Sequence, residues 1–226
     1  MMDEKTAYLY SQLYSYKALV RKTKGFISWA LKNVKNPYIA CSFGKDSSVM
    51  LHLCLECNKD IPVNFLCKIE TDLIDDYTGV IKWWEEKFNA SINRICYKGW
   101  LEGSNKTGIA NNMPTDGFDS YFVGIREEES VGRRITLKKH GKFFKSSSGL
   151  IRISPMSEWT TRDIATYMLV NELPILKAYM REGFESRTTS NIPSKYPHES
   201  IARLKDSNIE AYNKLLKILP DAKYFT

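Results

Sequence analysis

The most informative segment of the chain is Pro37-Tyr-Ile-Ala-Cys-Ser-Phe-Gly-Lys-Asp-Ser-Ser-Val-Met-Leu-His-Leu53. Its first part, residues 38–41, is a short apolar run that predicts a buried strand, and residues 49–53 have the apolar spacing of a helix. A loop of small polar residues joins the two. At a helix N-terminus, unpaired backbone N–H groups and the positive end of the helix dipole attract anions. The stretch therefore predicts a strand, a phosphate-binding loop and a helix.

The loop residues have the chemistry that phosphate oxygens need. Gly44 lets the backbone approach a ligand closely, and Lys45 adds a positive charge. Ser42, Ser47 and Ser48 offer hydroxyl donors. The spacing matches neither the Gly-Lys-Ser/Thr P-loop nor the Gly-x-Gly-x-x-Gly dinucleotide loop. The alternative is an ordinary strand-to-helix turn in which the serines are incidental.

The rest of the chain alternates between apolar runs typical of strands and patterns typical of helices. Strands are predicted at 38–41, 61–69, 91–97, 120–125 and 150–153, and helices at 46–58, 75–88, 160–171, 174–182 and 198–219. This alternation predicts an α/β fold with a doubly wound, mostly parallel five-stranded sheet that binds ligands at the carboxyl ends of its strands. We expect two N-terminal helices in residues 1–35, broken at Gly25, a core domain in 36–172 and a helical C-terminal extension in 173–226.

The composition is that of an ordinary globular chain with a surplus of basic residues. Of the 226 residues, 43% are hydrophobic and 26% charged, and the formal net charge is +7. This charge fits a nucleotide or a nucleic acid as partner, or a lysine-rich surface with no partner. Because the sequence shows no apolar run that would span a bilayer and no signal-peptide pattern, we expect a cytoplasmic protein without a membrane partner.

The cysteines favour buried, reduced thiols over disulfides or a metal site. All five lie in apolar segments, at positions 41, 54, 57, 67 and 96. Cys54 and Cys57 form a Cys-x-x-Cys pair, which would suit a redox or metal site. No second pair lies at zinc-like spacing, so two ordinary helix residues are the favoured interpretation and no protein-held metal site is predicted.

A second cluster of charges, residues 123–134, follows the fourth predicted strand and so lies at the same edge of the sheet as the loop. Arg126 with Arg133 or Arg134 could hold phosphate or sulfate oxygens in bidentate pairs; the alternative is a solvated charged turn. The basic stretch 133–145 contains a predicted turn at His140-Gly141. It is interpreted as a flap over the site, a surface for a polyanion, or an exposed hairpin.

Three segments together resemble a known family. Residues 42–53 resemble the pyrophosphate loop, Ser-x-Gly-x-Asp-Ser, of the ATP pyrophosphatase superfamily, and within it the phosphoadenosine-phosphosulfate reductase family, with the nearest likeness to sulfate adenylyltransferase small subunits. Residues 123–134 resemble that family's Gly-Ile/Ala-Arg-Arg-x-Glu-x-x-x-Arg stretch, and 153–167 its Pro-Leu-x-x-Trp-Thr-x-x-Asp element. The resemblance implies a Rossmann-like, adenine nucleotide alpha-hydrolase-like fold.

The resemblance also implies an ATP-binding enzyme that cleaves ATP at the α-phosphate, with Mg²⁺, and adenylylates an oxyanion such as sulfate. It gives catalytic roles to Lys45, Asp46 and Arg126, of which Asp46 would orient the loop or the Mg²⁺. The implied nucleotide-binding residues are Ser42, Phe43, Gly44, Lys45, Asp46, Ser47, Ser48, Thr71, Gly124, Arg126, Arg133 and Arg134.

Departures from the family pattern shape the functional hypothesis. No cysteine follows Cys96, so the thiol of the dedicated reductases is missing; Glu127 replaces a second arginine, and Asp72 replaces a glycine. We therefore favour a nucleotidyltransferase of sulfur metabolism that resembles sulfate adenylyltransferase. The alternatives are an adenylylating enzyme of nucleic-acid sulfur modification, a reductase relative that uses a partner's thiol, and a non-catalytic nucleotide-binding module. A homo-oligomer or a partner subunit stays open.

Overall fold

A computed structural model describes residues 2–67, 77–96, 115–185, 201–202, 204–206, 209–218 and 220–225. Its sheet contains β1 (Pro37–Ala40), β2 (Val63–Cys67), β3 (Ile92–Cys96), β4 (Ser120–Val123), β5 (Phe143–Lys145) and β6 (Ile151–Ile153). The spatial order is β3-β2-β1-β4-β6-β5, and every neighbouring pair is parallel except β5 with β6. The prediction of a mostly parallel α/β sheet is confirmed, with six strands where five were expected.

Residues 201–202 and 204–206 are helical, and eight further α-helices with defined bounds lie in the described part of the chain. They are α1 (Glu4–Ser11), α2 (Tyr14–Lys32), α3 (Lys45–Cys57), α4 (Tyr77–Phe88), α5 (Val131–His140), α6 (Thr161–Val170), α7 (Lys177–Glu182) and α8 (Ile209–Ile218). Short 3-10 helices span Glu127–Glu129 and Pro220–Phe225. None of the described helices has both the length and the apolar character that crossing a membrane requires.

The strand order reverses at β1, which has β2 on one side and β4 on the other. Ala40 at the end of β1 pairs with Val123 at the end of β4, so the segments that follow these two strands leave the sheet side by side. In a doubly wound sheet this reversal opens the crevice in which ligands bind. The predicted loop and the predicted arginine cluster therefore meet at this edge.

Helix α3 is the central helix of the core. It packs between α2 and α6, and α1 packs on α6. Because α3 is covered on most of its surface, its residues from Val49 to Leu55 are all buried, which explains the unbroken apolar run in the sequence. Residues 201–222 add a small apolar cluster of their own. The division of the chain at residues 35 and 172 stays a prediction.

The predicted helix break at Gly25 was wrong. Helix α2 runs through Gly25 without a break, because its buried residues Tyr16, Ile27 and Ala30 anchor it to the core and outweigh the low helix propensity of one glycine.

Of the three interpretations of the basic stretch 133–145, the hairpin is not formed. Residues 133–140 belong to α5, which starts where the Ser130 side chain accepts the N–H of Arg133 and is capped by Gly141, at the predicted turn. Residues 143–145 form β5.

Candidate functional site

The loop between β1 and α3 has a strained backbone that is held by a buried ring. Phe43 has a φ of +54°, a left-handed conformation that costs a residue with a side chain about 1–2 kcal/mol. Its ring is buried and packs edge to face on Phe65, with ring centroids 5.0 Å apart. Because the ring points into the core, a contact of Phe43 with a nucleotide would have to use the backbone.

Two of the three predicted serines lie together in the loop. The hydroxyl oxygens of Ser42 and Ser47 are 3.1 Å apart, the Ser42 N–H donates to Ser47 Oγ, and Ser47 Oγ donates to the carbonyl oxygen of Gly44. Ser48, in contrast, is fully buried, and its hydroxyl has no hydrogen-bond partner among the described residues. Ser42 is exposed, Ser47 is buried beneath it with its hydroxyl bonded within the loop, and Ser48 belongs to the interior side of α3.

Lys45 begins α3 and is covered by Tyr179 from α7. The Lys45 ammonium lies 3.4 Å from Asp46 Oδ2 and 5.1 Å from the centroid of the Tyr179 ring. The backbone N–H of Lys45 donates to the Tyr179 hydroxyl at 3.3 Å. Sequence reasoning missed Tyr179, because nothing in the sequence sets it apart from the other tyrosines. The contact places α7 against the start of α3.

Arg126 holds Asp46 in place. Its Nε donates to Asp46 Oδ1 and its Nη1 to Glu128 Oε2, each at 2.5 Å, and further bonds reach the carbonyl of Trp159 and the hydroxyl of Thr161. The guanidinium is almost fully buried and most of its N–H groups have protein partners. The structure thus brings Arg126 and Asp46, two residues predicted separately, into direct contact behind the loop, and the predicted role of Arg126 toward phosphate stays a prediction.

The charges of this network stabilise one another. Burial lowers the pKa of Arg126, but the carboxylates of Asp46 and Glu128 outweigh it and the net shift is upward. Burial raises the pKa of Glu128, but hydrogen bonds from Thr161 and Arg126 outweigh it and the net shift is downward. Glu128 also accepts the backbone N–H of Thr161 at 2.6 Å. The network therefore ties the first turn of α3 to the first turn of α6, and the charged forms of Arg126 and Glu128 are the favoured ones.

Gly124 allows β4 and α3 to approach closely. A Cβ at this position would lie 2.9 Å from the Asp46 carbonyl oxygen and 3.0 Å from Ser47 Cα, both backbone atoms. Since a side chain would push the loop away, the glycine is required for packing at the site.

The comparison with known proteins identifies the family. Residues 36–73 and 82–187, more than half of the chain, match the phosphoadenosine phosphosulfate reductase domain. The chain belongs to the phosphoadenosine phosphosulfate reductase family. The loop, Gly124, Arg126 and Tyr179 all lie inside the matched ranges of this family member.

Individual relatives are distant. A phosphoadenosine 5'-phosphosulfate reductase of Xanthomonas euvesicatoria pv. vesicatoria is 27% identical over 171 residues, which cover 66% of this chain and 68% of the relative. The crystal structure of Candida glabrata FMN adenylyltransferase superposes with a TM-score of 0.58 at 18% identity, covering 81% of this chain and 67% of that one. Its complex with ATP gives 0.57 at 19% identity, with the same coverage. At such identity the likeness of the structures shows the fold alone.

The remaining predicted residues lie around or outside this arrangement. Arg133 pairs with Glu129, whose other carboxylate oxygen accepts the Arg126 N–H, so Arg133 joins the network from α5. Arg134 is exposed on the same helix. Thr71 lies outside the described residues. Glu128 and Thr161 were not predicted, although the position of Glu128 two residues after Arg126 was an available signal.

Among the described residues, no group of three or more His, Cys, Asp or Glu side chains could hold a metal ion. Asp46 is a carboxylate of the loop itself, and its two oxygens face Arg126 and Lys45. Mg²⁺ commonly binds through substrate phosphates and water with one or two carboxylates. No step is therefore assigned to a metal held by the protein.

Proposed function

We propose that this member of the reductase family binds an adenine nucleotide at loop 42–48 and transfers its adenylyl group to an oxyanion. An oxygen of the acceptor bonds to the α-phosphorus of ATP while the bond from that phosphorus to the bridging α–β oxygen breaks. Pyrophosphate leaves with the electron pair of that bond. Such a transfer needs positioning and charge neutralisation more than acid–base chemistry.

The observation that carries the proposal is the neutralised carboxylate at the start of α3. An acidic residue in the first turn of α3 would repel phosphate, but Arg126 contacts Asp46 at 2.5 Å and cancels its charge. The departing pyrophosphate then faces Lys45, the hydroxyls of Ser42 and Ser47, and the positive end of α3. Arg126 acts through Asp46 and is a positioning residue.

The thiols argue against reduction by this chain's own cysteines. Cys41 is the thiol beside the loop, and its Sγ accepts the N–H of Phe43. Burial raises the pKa of Cys41 to about 12 and raises that of Cys54 as well, so neither is a thiolate at neutral pH. Residues 97–226 contain no cysteine. Transfer of the adenylyl group to a sulfur oxyanion such as sulfate needs no thiolate. Such a reaction would still belong to sulfur metabolism, like those of the family.

The relatives support the nucleotide part of the proposal. The curated relatives are named phosphoadenosine 5'-phosphosulfate reductases, and one protein of similar fold is an adenylyltransferase whose structure holds ATP. Both names refer to an adenosine phosphate, which is the class of ligand that we propose for loop 42–48.

The test is turnover of ATP labelled with ³²P in the α or the γ position, with Mg²⁺ and with or without sulfate. We expect α label on AMP or on an adenylylated product and γ label in pyrophosphate. Lys45→Ala should lower the rate by roughly 100-fold or more, because it removes a cation beside the developing charge. Lys22→Ala, a change at the exposed Lys22–Glu158 pair, is the control. Release of γ label as orthophosphate, or unchanged turnover by a folded Lys45→Ala protein, would overturn the proposal.

A nucleic-acid acceptor is the second candidate, and one observation favours it. Residues 130–157 contain seven Lys and Arg and no Asp or Glu, so this stretch alone matches the net charge of the chain, +7. It forms α5, β5 and β6 at one edge of the sheet. Arg134, Lys138 and Lys139 are exposed on α5, which directly follows the Arg126 network.

Binding of labelled single-stranded DNA and RNA at several salt concentrations tests this candidate. A nucleic-acid surface gives an affinity that falls linearly on a log–log plot against salt, and Lys138→Glu with Lys139→Glu should reduce that slope. Lys82→Glu on α4 is the control for a general change of charge. The same weakening in the control would rule this surface out as the binding site.

A further inference from the structure

A solvent-open cavity of about 650 Å³ lies between α2 and the C-terminal end of α6. Two of its lining residues, Lys24 and Tyr167, contact Glu56 in the last turn of α3. The phosphate loop lies at the first turn of the same helix, roughly 16 Å away at 1.5 Å per residue. The cavity is therefore separate from the site described above.

The lining of the cavity is basic and contains no acidic residue. Lys17, Arg21 and Lys24 follow one another on α2 at intervals of four and three residues, so they share one face. Lys24 is neutralised by Glu56 at 2.9 Å, and Lys17 donates to the neutral amide of Gln12. Arg21 makes no ion pair with any residue in the described ranges. Two uncompensated cations thus face the same space.

Gly25 on the cavity wall has no role in packing. It lies in the interior of α2, where glycine costs about 1 kcal/mol relative to alanine, and a Cβ there would have no atom within 4 Å. The missing side chain keeps the cavity wide. Tyr16, 94% buried at the same wall, has a hydroxyl with no hydrogen-bond partner among the described residues.

We propose that this cavity binds a small molecule that carries a phosphate or sulfate group. The oxyanion is held by Arg21 and Lys17, since a guanidinium pairs with such groups in a bidentate way. The rest of the molecule lies along Val20 and Val170, which supply apolar lining. The volume falls in the range of small-ligand sites. The proposal is independent of the adenylyl-transfer function.

The experiment is a titration of the full chain, with the ¹³C-labelled methyl groups of Val20 and Val170 followed by NMR. The probes are sulfate, inorganic phosphate and AMP, each alone. We expect saturable shifts of both valines with at least one probe. If sulfate or phosphate binds as tightly as AMP, the oxyanion alone is enough for binding; if AMP binds more tightly, the rest of the molecule contributes. Arg21→Gln should weaken that binding by about tenfold or more.

Two variants make the result decisive. Lys22→Gln changes the same charge on the same helix, but Lys22 pairs with Glu158 and does not line the cavity, so binding should stay unchanged. Gly25→Leu should abolish binding while raising thermal stability, because leucine fills the space and favours the helix. Absence of valine shifts with all three probes, or equal losses in Arg21→Gln and Lys22→Gln, would overturn the proposal.

Discussion

Replacement of Gly124 by alanine tests the close approach of β4 to the phosphate loop. The new Cβ would lie 2.9 Å from the Asp46 carbonyl oxygen, while ordinary van der Waals contact begins at 3.4 Å, so the backbone must move by about 0.5 Å. The atoms it meets belong to the backbone of Asp46 and Ser47, and no flexible side chain can turn aside. We expect the free energy of unfolding to fall by about 1–3 kcal/mol, the usual cost of overpacking.

Urea unfolding followed by the fluorescence of the buried tryptophans Trp84 and Trp159 measures this change. Gly132→Ala is the matched control, since a Cβ at Gly132 meets nothing within 4 Å and the residue lies inside α5. That variant should be as stable as the wild type or more stable by up to about 1 kcal/mol. ATP binding should weaken only in Gly124→Ala, because only there is the loop displaced. Equal stability of the two variants would show that β4 and α3 are not in close contact at Gly124.

Three further predictions concern buried charges and thiols. Arg126→Met should lower the free energy of unfolding by about 3 kcal/mol, because it removes a buried partner of Asp46 and leaves that carboxylate with Lys45. Added Asp46→Asn should recover part of the loss in a double-mutant cycle, and no recovery would contradict the pairing. Burial lowers the pKa of His52 below its ordinary value of 6.5. As the pH falls, the imidazole is therefore protonated in the unfolded chain before it is protonated in the folded protein. The free energy of unfolding should then decrease as the pH falls below about 6.5. His52→Phe should flatten this part of the stability profile against pH, and an unchanged profile would speak against the assignment. Because burial raises the pKa of Cys41 to about 12, iodoacetamide should label Cys41 only after unfolding, as mapped by mass spectrometry; rapid labelling of the folded protein would show that the thiol is accessible.

Elements with a local signal could be predicted from the sequence. The strand–loop–helix of residues 37–53 and the parallel strands of the sheet followed from apolar spacing. The errors arose where tertiary contacts outweighed local propensity. Gly25 suggested a break, but burial of one face of α2 keeps the helix continuous.

The location of the site could be predicted in the same way, but the contacts within it could not. The sequence placed the loop and Arg126 at one edge of the sheet, because both follow parallel strands at their carboxyl ends. It did not reveal the partners of Arg126, since the contact with Asp46 spans 80 positions and no periodic pattern reaches that far. Tyr179 was missed for the same reason, because its contact with Lys45 spans 134 positions.

The family, the class of fold and a strand–loop–helix typical of phosphate binding could be inferred from the sequence, because spacing and short motifs are local properties of the chain. Burial and the partners of the charged residues became visible only in the folded protein. Arg126 is buried and pairs with Asp46, and Ser48 is an interior residue, while their predicted roles toward a nucleotide stay predictions. Burial and the pairing of charges depend on distant segments brought together by folding, whereas helix and strand patterns depend on near neighbours in the chain.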